Sequence, residues 1–465
     1  MSSGLVQGPV AADPTSRSAD RSFEAESARL SEGLALAVRQ SGLDDLVDFD
    51  NRVDGAAQPA EFLPNVDVAV IELSRRGRVL GAANVLYDRD SPEGYQVEVD
   101  RRRLRATGVE FSAWNMERFN DSAAWMAGPA DAEVLQRPGQ VAKQFMTTYP
   151  ASVLKIMVAH GILRLVDQGK VDLVDEVAFA ERSGKSCAYG PSNPEGLDPA
   201  PVADGATDTV AGWMDQMITV SDNFATCVLL QKIYDQGALK EINGHFQRLG
   251  LTSLRMRPAD RSVGSGWSTG QMSMGALDTA KLMLVASGAP GRLWTAPDGS
   301  AVRANTVLSA SSQRYYRNLL AQQSFNEVLN PTNLCGSSDA VQGIPSTVSK
   351  RWIDNKTGHV VTYDGDLAVD FGYDVRPCNR KAEVTFMHKT GLVSFAGSDA
   401  GIVKALPGKG GRWYVVAVQS SIGYRFGDAD WATARPNACE GAPYVCYPRG
   451  FGRIGKAVDH LVKQR

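Results

Sequence analysis

Hydrophobic positions along the chain follow two periods, and their succession predicts an alternation of helices and strands. Leu30, Leu34 and Val38 fall on one face of a helix expected over 22–42, with Ser22 to cap it, Glu24 and Glu26 in its first turn and Gly42 to stop it. Residues 66–73 alternate as a strand, 74–77 supply turn chemistry, and 78–87 return as its partner. From 88 to 144 the pattern weakens. The cluster Arg101, Arg102, Arg103 and Arg105 there reads as a solvated edge. Period 3.6 resumes at Leu154, Val158, Ile162 and Leu165, predicting a helix up to Gly169 that is entered through Pro150, a residue suited to the approach of a helix and not to its interior.

Further on, 181–208 is rich in Gly, Pro, Ser and Asp and reads as a long surface loop. A helix is expected over 209–234, with Trp213, Met217, Val220, Ala225, Leu229 and Ile233 on its apolar side. Helices follow at 272–287 and 309–323, loops at 250–270 and 290–305, a hairpin through 360–373, strands at 383–388, 398–405 and 413–419, and a closing helix at 455–463.

Composition narrows the classes open to such a chain. With 465 residues, 43% hydrophobic and 22% charged, it can bury a sizeable core. A formal net charge of -3 gives no electrostatic case for nucleic acid or an anionic membrane as partner. No apolar run reaches the roughly 18 residues a membrane span needs. Residues 1–21 are expected to be a disordered leader, with no signal peptide visible. The six cysteines, 187, 227, 335, 378, 439 and 446, show neither a CxxC pair nor Cys/His ligand spacing, so no structural zinc is expected. Cys439 and Cys446 flank a Pro/Gly-containing loop and read either as a disulfide or as two free thiols.

The chemistry starts from Ser152 and Lys155. Three residues apart on a helix, they share a face and place an amine within reach of a hydroxyl. That is a nucleophile beside a base, at a helix N-terminus whose free NH groups favour developing negative charge. Taken alone, the same residues also read as a helix cap followed by a solvated lysine. Ser221, Asp222 and Asn223 form a polar triplet inside an apolar helical segment, so they must be hydrogen-bonded, either as an N-cap in mid-segment or in a site. Lys389, Thr390 and Gly391 end a late strand. A second Lys-Thr-Gly, at 356–358, precedes a hairpin and reads as a turn.

Ser152-x-x-Lys155, Ser221-Asp222-Asn223 and Lys389-Thr390-Gly391, in that order, resemble the motif set of the serine β-lactamase and penicillin-binding protein superfamily, closest to class A β-lactamases. The resemblance implies a mixed α/β (α+β) fold: an antiparallel sheet flanked by the terminal helices, plus an all-helical lobe. It forms a single domain over 22–465, with the α/β lobe at about 22–149 and 325–465 and the helical lobe at about 150–324. It implies that Ser152 attacks a lactam carbonyl with Lys155 taking its proton, that the amides of Ser152 and Leu392 form an oxyanion hole, and that Ser221 relays a proton to the leaving nitrogen. Asn223 would hold Lys155 and the substrate, Lys389 and Thr390 would bind the substrate carboxylate, and Asp222 would be structural. Aligning Leu249-Gly250 with the family's Leu-Gly puts Asp260 where class A enzymes carry the glutamate that activates the deacylating water. The substrate would be a β-lactam, or a D-Ala-D-Ala-like peptide or ester if the chain is a related peptidase or esterase, or a β-lactam that stays attached if it is a slowly deacylating sensor. The family also implies no metal or organic cofactor, a monomer and an extracytoplasmic location. The motifs are spaced more widely than is usual in class A, which points to insertions at 181–208 and within 290–381.

Overall fold

Two chain segments, 66–97 and 384–420, build one sheet. The computed structural model describes residues 14–61, 63–114, 133–179, 205–257, 267, 271–337, 340–364, 367–434 and 449–464. In chain order the principal elements are α1 (Pro14–Arg39), β1 (Val66–Leu73), β2 (Val79–Asp88), β3 (Ser91–Val97), α2 (Lys155–Asp167), α3 (Val210–Thr219), α4 (Asn223–Asp235), α5 (Leu239–Leu249), α6 (Ala276–Ala286), α7 (Ala310–Leu320), β4 (Val384–Val393), β5 (Ala396–Ala405), β6 (Trp413–Ser420) and α8 (Gly450–Lys463). The six strands form an antiparallel sheet in the order β4-β5-β6-β1-β2-β3. Helix α1 begins at Pro14, so 14–21 belong to it and not to a disordered leader; 1–13 lie outside the described residues.

Every residue of β1 and β6 is buried, because these central strands are covered on both faces. On one face, Leu30, Leu34 and Val38 of α1 and Ile454, Val458 and Val462 of α8 pack on Val66, Val68, Val70, Val416 and Val418. Alternation sends Ala69, Ile71, Val415 and Ala417 to the other face, where they join the core of the helical region, including Ile156, Met157, Ala280 and Met283. That leaves β4 as an edge strand beside the helices.

The helix expected over 209–234 is two helices. α3 ends at Thr219, Ser221 takes the left-handed conformation with φ 63°, and Asp222 caps α4 by accepting from the Ala225 amide. Apolar periodicity runs on across the break, so it gave no sign of it.

The segment 325–381 carries its own small core, with Phe325, Leu334, Val348, Trp352, Val360, Val369, Phe371 and Val375 buried together. It contains the expected hairpin, Val361–Asp364 with Leu367–Asp370, and a Cys335–Cys378 disulfide that spacing did not predict. Cys439 and Cys446 lie outside the described residues, as does most of 181–208. Arg351 makes two bonds to the Asp215 carboxylate, at 2.7 and 2.6 Å, and Trp352 donates its indole NH to Gln322 O, fastening the segment to α3 and to the end of α7. Val220 and Leu392 pack against its core. Among the described residues no helix is long and apolar enough to cross a membrane.

Candidate active site

Ser152 lies in a 3-10 turn, Ala151–Leu154, and the α-helix proper starts only at Lys155. The nucleophile candidate therefore precedes the helix instead of opening it. Ala151 enters the turn at φ 45°, a left-handed conformation that costs an L-residue about 1–2 kcal/mol. Position is held from the sheet side. Ser398 on β5 donates its hydroxyl to Pro150 O, and a Cβ on Gly391 would stand 2.7 Å from the Ser152 amide nitrogen and 2.8 Å from that of Val153. Only glycine lets β4 approach so closely, and the approach brings Gly391 and Leu392 against the Ser152 turn.

Lys155 is fully buried, and its amine meets four oxygens. Nζ lies 2.9 Å from Ser152 Oγ, 3.0 Å from Ser221 Oγ and 2.7 Å from Asn223 Oδ1, and also donates to Ser221 O. The left-handed turn at Ser221 aims both its carbonyl and its hydroxyl at one amine, and Asn223 joins them from the first turn of α4. The triplet thus has both of the roles open to it: Asp222 caps, while its neighbours face the lysine.

Lys389 reaches the same hydroxyl from the edge strand, with Nζ 2.9 Å from Ser221 Oγ and 2.7 Å from Thr390 O. Burial first, and then the nearby Lys155 charge, hold its amine well below the usual lysine value. Ser152, Lys155, Ser221, Asn223 and Lys389 are therefore joined in one hydrogen-bonded chain. The Thr390 hydroxyl is not part of it: it donates to Phe325 O at 2.7 Å. Asp260 lies outside the described residues. The rival motif at 356–358 is a turn in which the Asp354 carboxylate accepts from the Lys356 and Thr357 amides and the Thr357 hydroxyl.

Sequence reasoning missed Ala151, Ser398, and the buried pair Tyr149 and Trp267, in which the indole donates to the phenol at 2.9 Å while burial pushes the phenol up to about 12. None of them carries a local motif. The only hint was that Tyr149 and Ala151 adjoin Pro150.

Ser221 supplies a direct test of what the strained turn is for. Ser221→Gly removes a left-handed L-residue and both bonds of the hydroxyl. Stability is expected to hold or rise by up to about 1 kcal/mol in urea titrations, while reaction of Ser152 with an acyl donor slows at least about a hundredfold. A variant that loses both together would mean that the hydroxyl is there for structure.

A serine joined to a buried lysine, with a second hydroxyl bridging two amines beside a glycine-smoothed strand, is an arrangement chemically able to support acyl transfer through a covalent serine ester. The model of the beta-lactamase enzyme family matches residues 139–430, and the chain belongs to that family, within the serine β-lactamase and penicillin-binding protein superfamily. Solved structures similar to it include a class A β-lactamase from Bacteroides cellulosilyticus, at 14% identity over 87% of this chain and 94% of that one with a TM-score of 0.42. An ancestral class A β-lactamase shows 13% identity over 93% and 99%, also with a TM-score of 0.42. PBP-A shows 19% identity over 68% and 81%, with a TM-score of 0.39. A comparison with curated proteins finds no match.

Proposed function

We propose that the protein is a class A-like serine β-lactamase that opens the lactam amide through an acyl-enzyme on Ser152. The observation carrying this reading is the pair of contacts at Lys155 Nζ: Ser152 Oγ on one side and, on the other, oxygens of Ser221 and Asn223. Ser221 O and Asn223 Oδ1 can only accept, so they take two N–H bonds of the amine and leave its lone pair for the Ser152 proton. As Ser152 Oγ bonds to the lactam carbon, that proton passes to Lys155. It moves on through Ser221 Oγ, which Lys389 also holds, to the nitrogen whose bond to carbon breaks. The Ser152 and Leu392 amides would stabilise the oxyanion, and Lys389 would attract the substrate carboxylate, with Thr390 available once its hydroxyl turns from Phe325 O. Water then cleaves the ester, with Asp260 as the residue proposed to activate it. The Cys335–Cys378 disulfide supports an oxidising, extracytoplasmic location.

The test is intact-protein mass spectrometry after mixing with benzylpenicillin and a cephalosporin. A Ser152 adduct is expected to form and clear as hydrolysed product accumulates, to be absent in Ser152→Ala, and to persist about a hundredfold longer in Asp260→Asn. A wild-type adduct that never clears would replace the hydrolase reading with that of a β-lactam sensor, and no adduct at all would remove β-lactams as substrates.

A further inference from the structure

Behind the Lys389 strand, and outside the chain of groups just described, a histidine is fully enclosed by polar partners. His388 on β4 is 1% exposed. Its Nδ1 lies 2.8 Å from Asp399 Oδ1 on β5, and its Nε2 lies 3.1 Å from Asn326 Oδ1. The ring stacks on Phe386 at 4.1 Å and crosses β5 at Gly401, where a Cβ would stand 2.4 Å from that of His388.

The orientation of Asn326 decides the protons. Its Nδ2 faces the oxygens of Gln323, Ser324 and Asn333, at 3.2, 3.3 and 3.3 Å. Asn333 is itself oriented by donating to Ser324 O at 2.7 Å, and Asn330 Nδ2 donates to Asn326 Oδ1 at 3.0 Å. Turning the Asn326 amide over would set its oxygen against three oxygens and its nitrogen against a donor. So Oδ1 faces His388, and both ring nitrogens of the histidine point at acceptors.

We infer that His388 carries a proton on both ring nitrogens and, as an imidazolium clamped between Asp399 and Asn326, positions the Lys389–Thr390 strand against segment 324–330. The same segment is held by two further bonds, Thr390 Oγ1 to Phe325 O at 2.7 Å and the Leu329 amide to Asp399 Oδ2 at 3.2 Å. A ring that loses one proton turns a lone pair on an acceptor, and the clamp opens on the side of Asn326 or of Asp399. Besides the ring, the titratable groups of these elements are Asp399, Glu327, Lys389 and the exposed Lys404 near the end of β5, and both carboxylates favour the charged amine of Lys389. His388 is thus a positioning residue for the amine that holds Ser221. Its effect on acylation rests on the function proposed above; its protonation does not.

The test uses the full chain labelled with 15N-histidine, with the His388 signals assigned by their loss in His388→Gln. At pH 7 both ring nitrogens should resonate as protonated, and a bare nitrogen would overturn the inference. As pH rises and the wild-type ring loses a proton, exchange of the Leu329 amide should accelerate beyond its ordinary base catalysis. The acylation rate with benzylpenicillin should fall about tenfold to a hundredfold with the same midpoint. In His388→Gln that limb should be missing and the rate low throughout. Exchange that ignores the ring's proton would overturn the positioning role, even if the variant fails to fold. A wild type that benzylpenicillin never acylates would sink the proposed function, while the nitrogen signals and Leu329 exchange would still decide the role of His388.

Discussion

Lys155→Met is expected to slow acylation of Ser152 by about 10²–10⁴-fold while leaving the serine in place. The variant keeps an unbranched stem of similar length, with sulfur in place of one methylene, and removes the amine, so the Ala151–Leu154 turn and its contacts from Ser398 and Gly391 persist. What goes is the acceptor for the Ser152 proton and the donor shared by Ser221 and Asn223. Stopped-flow acylation with a chromogenic cephalosporin measures the loss directly. Removing a hydrogen-bond donor from buried acceptors costs about 1–3 kcal/mol, so urea unfolding should shift as well. An acylation rate within tenfold of the wild type would take Lys155 out of the proton path and leave Lys389, through Ser221, as the base.

The second large effect is loss of stability in acid, centred on two stacked histidines, His160 on α2, the helix that carries Lys155, and His245 on α5. His160 on α2 is 1% exposed, and neither of its ring nitrogens has a hydrogen-bond partner among the described residues. Its ring lies 5.6 Å from that of His245, whose Nε2 accepts from Arg164 at 3.2 Å. Burial, then His245 and Arg164, push His160 well below the ordinary histidine value; burial, then Arg164 and Arg248, push His245 down to about 3. Both are neutral in the fold, whereas in the unfolded chain they take up protons below pH 6.5 or so. The unfolded state therefore binds more protons as pH falls, and stability drops from about pH 6.5 until the folded values are reached, by up to about 1.4 kcal/mol per pH unit for each ring. Asp67 acts in the opposite sense: burial raises it to about 6, so between that pH and its unfolded value the fold binds the extra proton. A variant comparison separates the two. His160→Leu should reduce the pH dependence of unfolding free energy between pH 6 and 4 by about 1.4 kcal/mol per unit. Equal slopes in variant and wild type would mean that the rings escape protonation or titrate normally.

Much of the architecture was legible because burial on two faces leaves a plain signature. Strand β1 begins and ends where alternation predicted, and α6, α7 and α8 lie within a few residues of their expected bounds, since apolar spacing and Gly or Ser boundaries act locally. The break before Asp222 was not legible: Val220 and Ala225 continue the apolar stripe, and only the φ of Ser221, set by its bonds to Lys155, interrupts the helix. Among the candidate site residues, Ser152, Lys155, Ser221, Asn223 and Lys389 could be named because each brings a hydroxyl, amine or amide in an ordered motif. Ser398 and Asn326 could not, since their importance comes from strands and loops that meet only in space. The Cys335–Cys378 bond was equally hidden, because its 43-residue separation carries no spacing rule.

The sheet has a consequence for how the protein is made. Strand β1, near the start of the chain, finds its neighbour β6 only at residues 413–420, whereas α2, α3 and α4 pack against one another, close in sequence. Contacts of that range close late, after the local ones, because the chain must first give up the entropy of a very long loop. A ribosome that has completed α2 to α7 has already made Ser152, Lys155 and Ser221, but not Lys389 or Gly391. On the function proposed above, the nascent protein is then chemically silent, and it can accept an acyl group only once β4, β5 and β6 have joined β1.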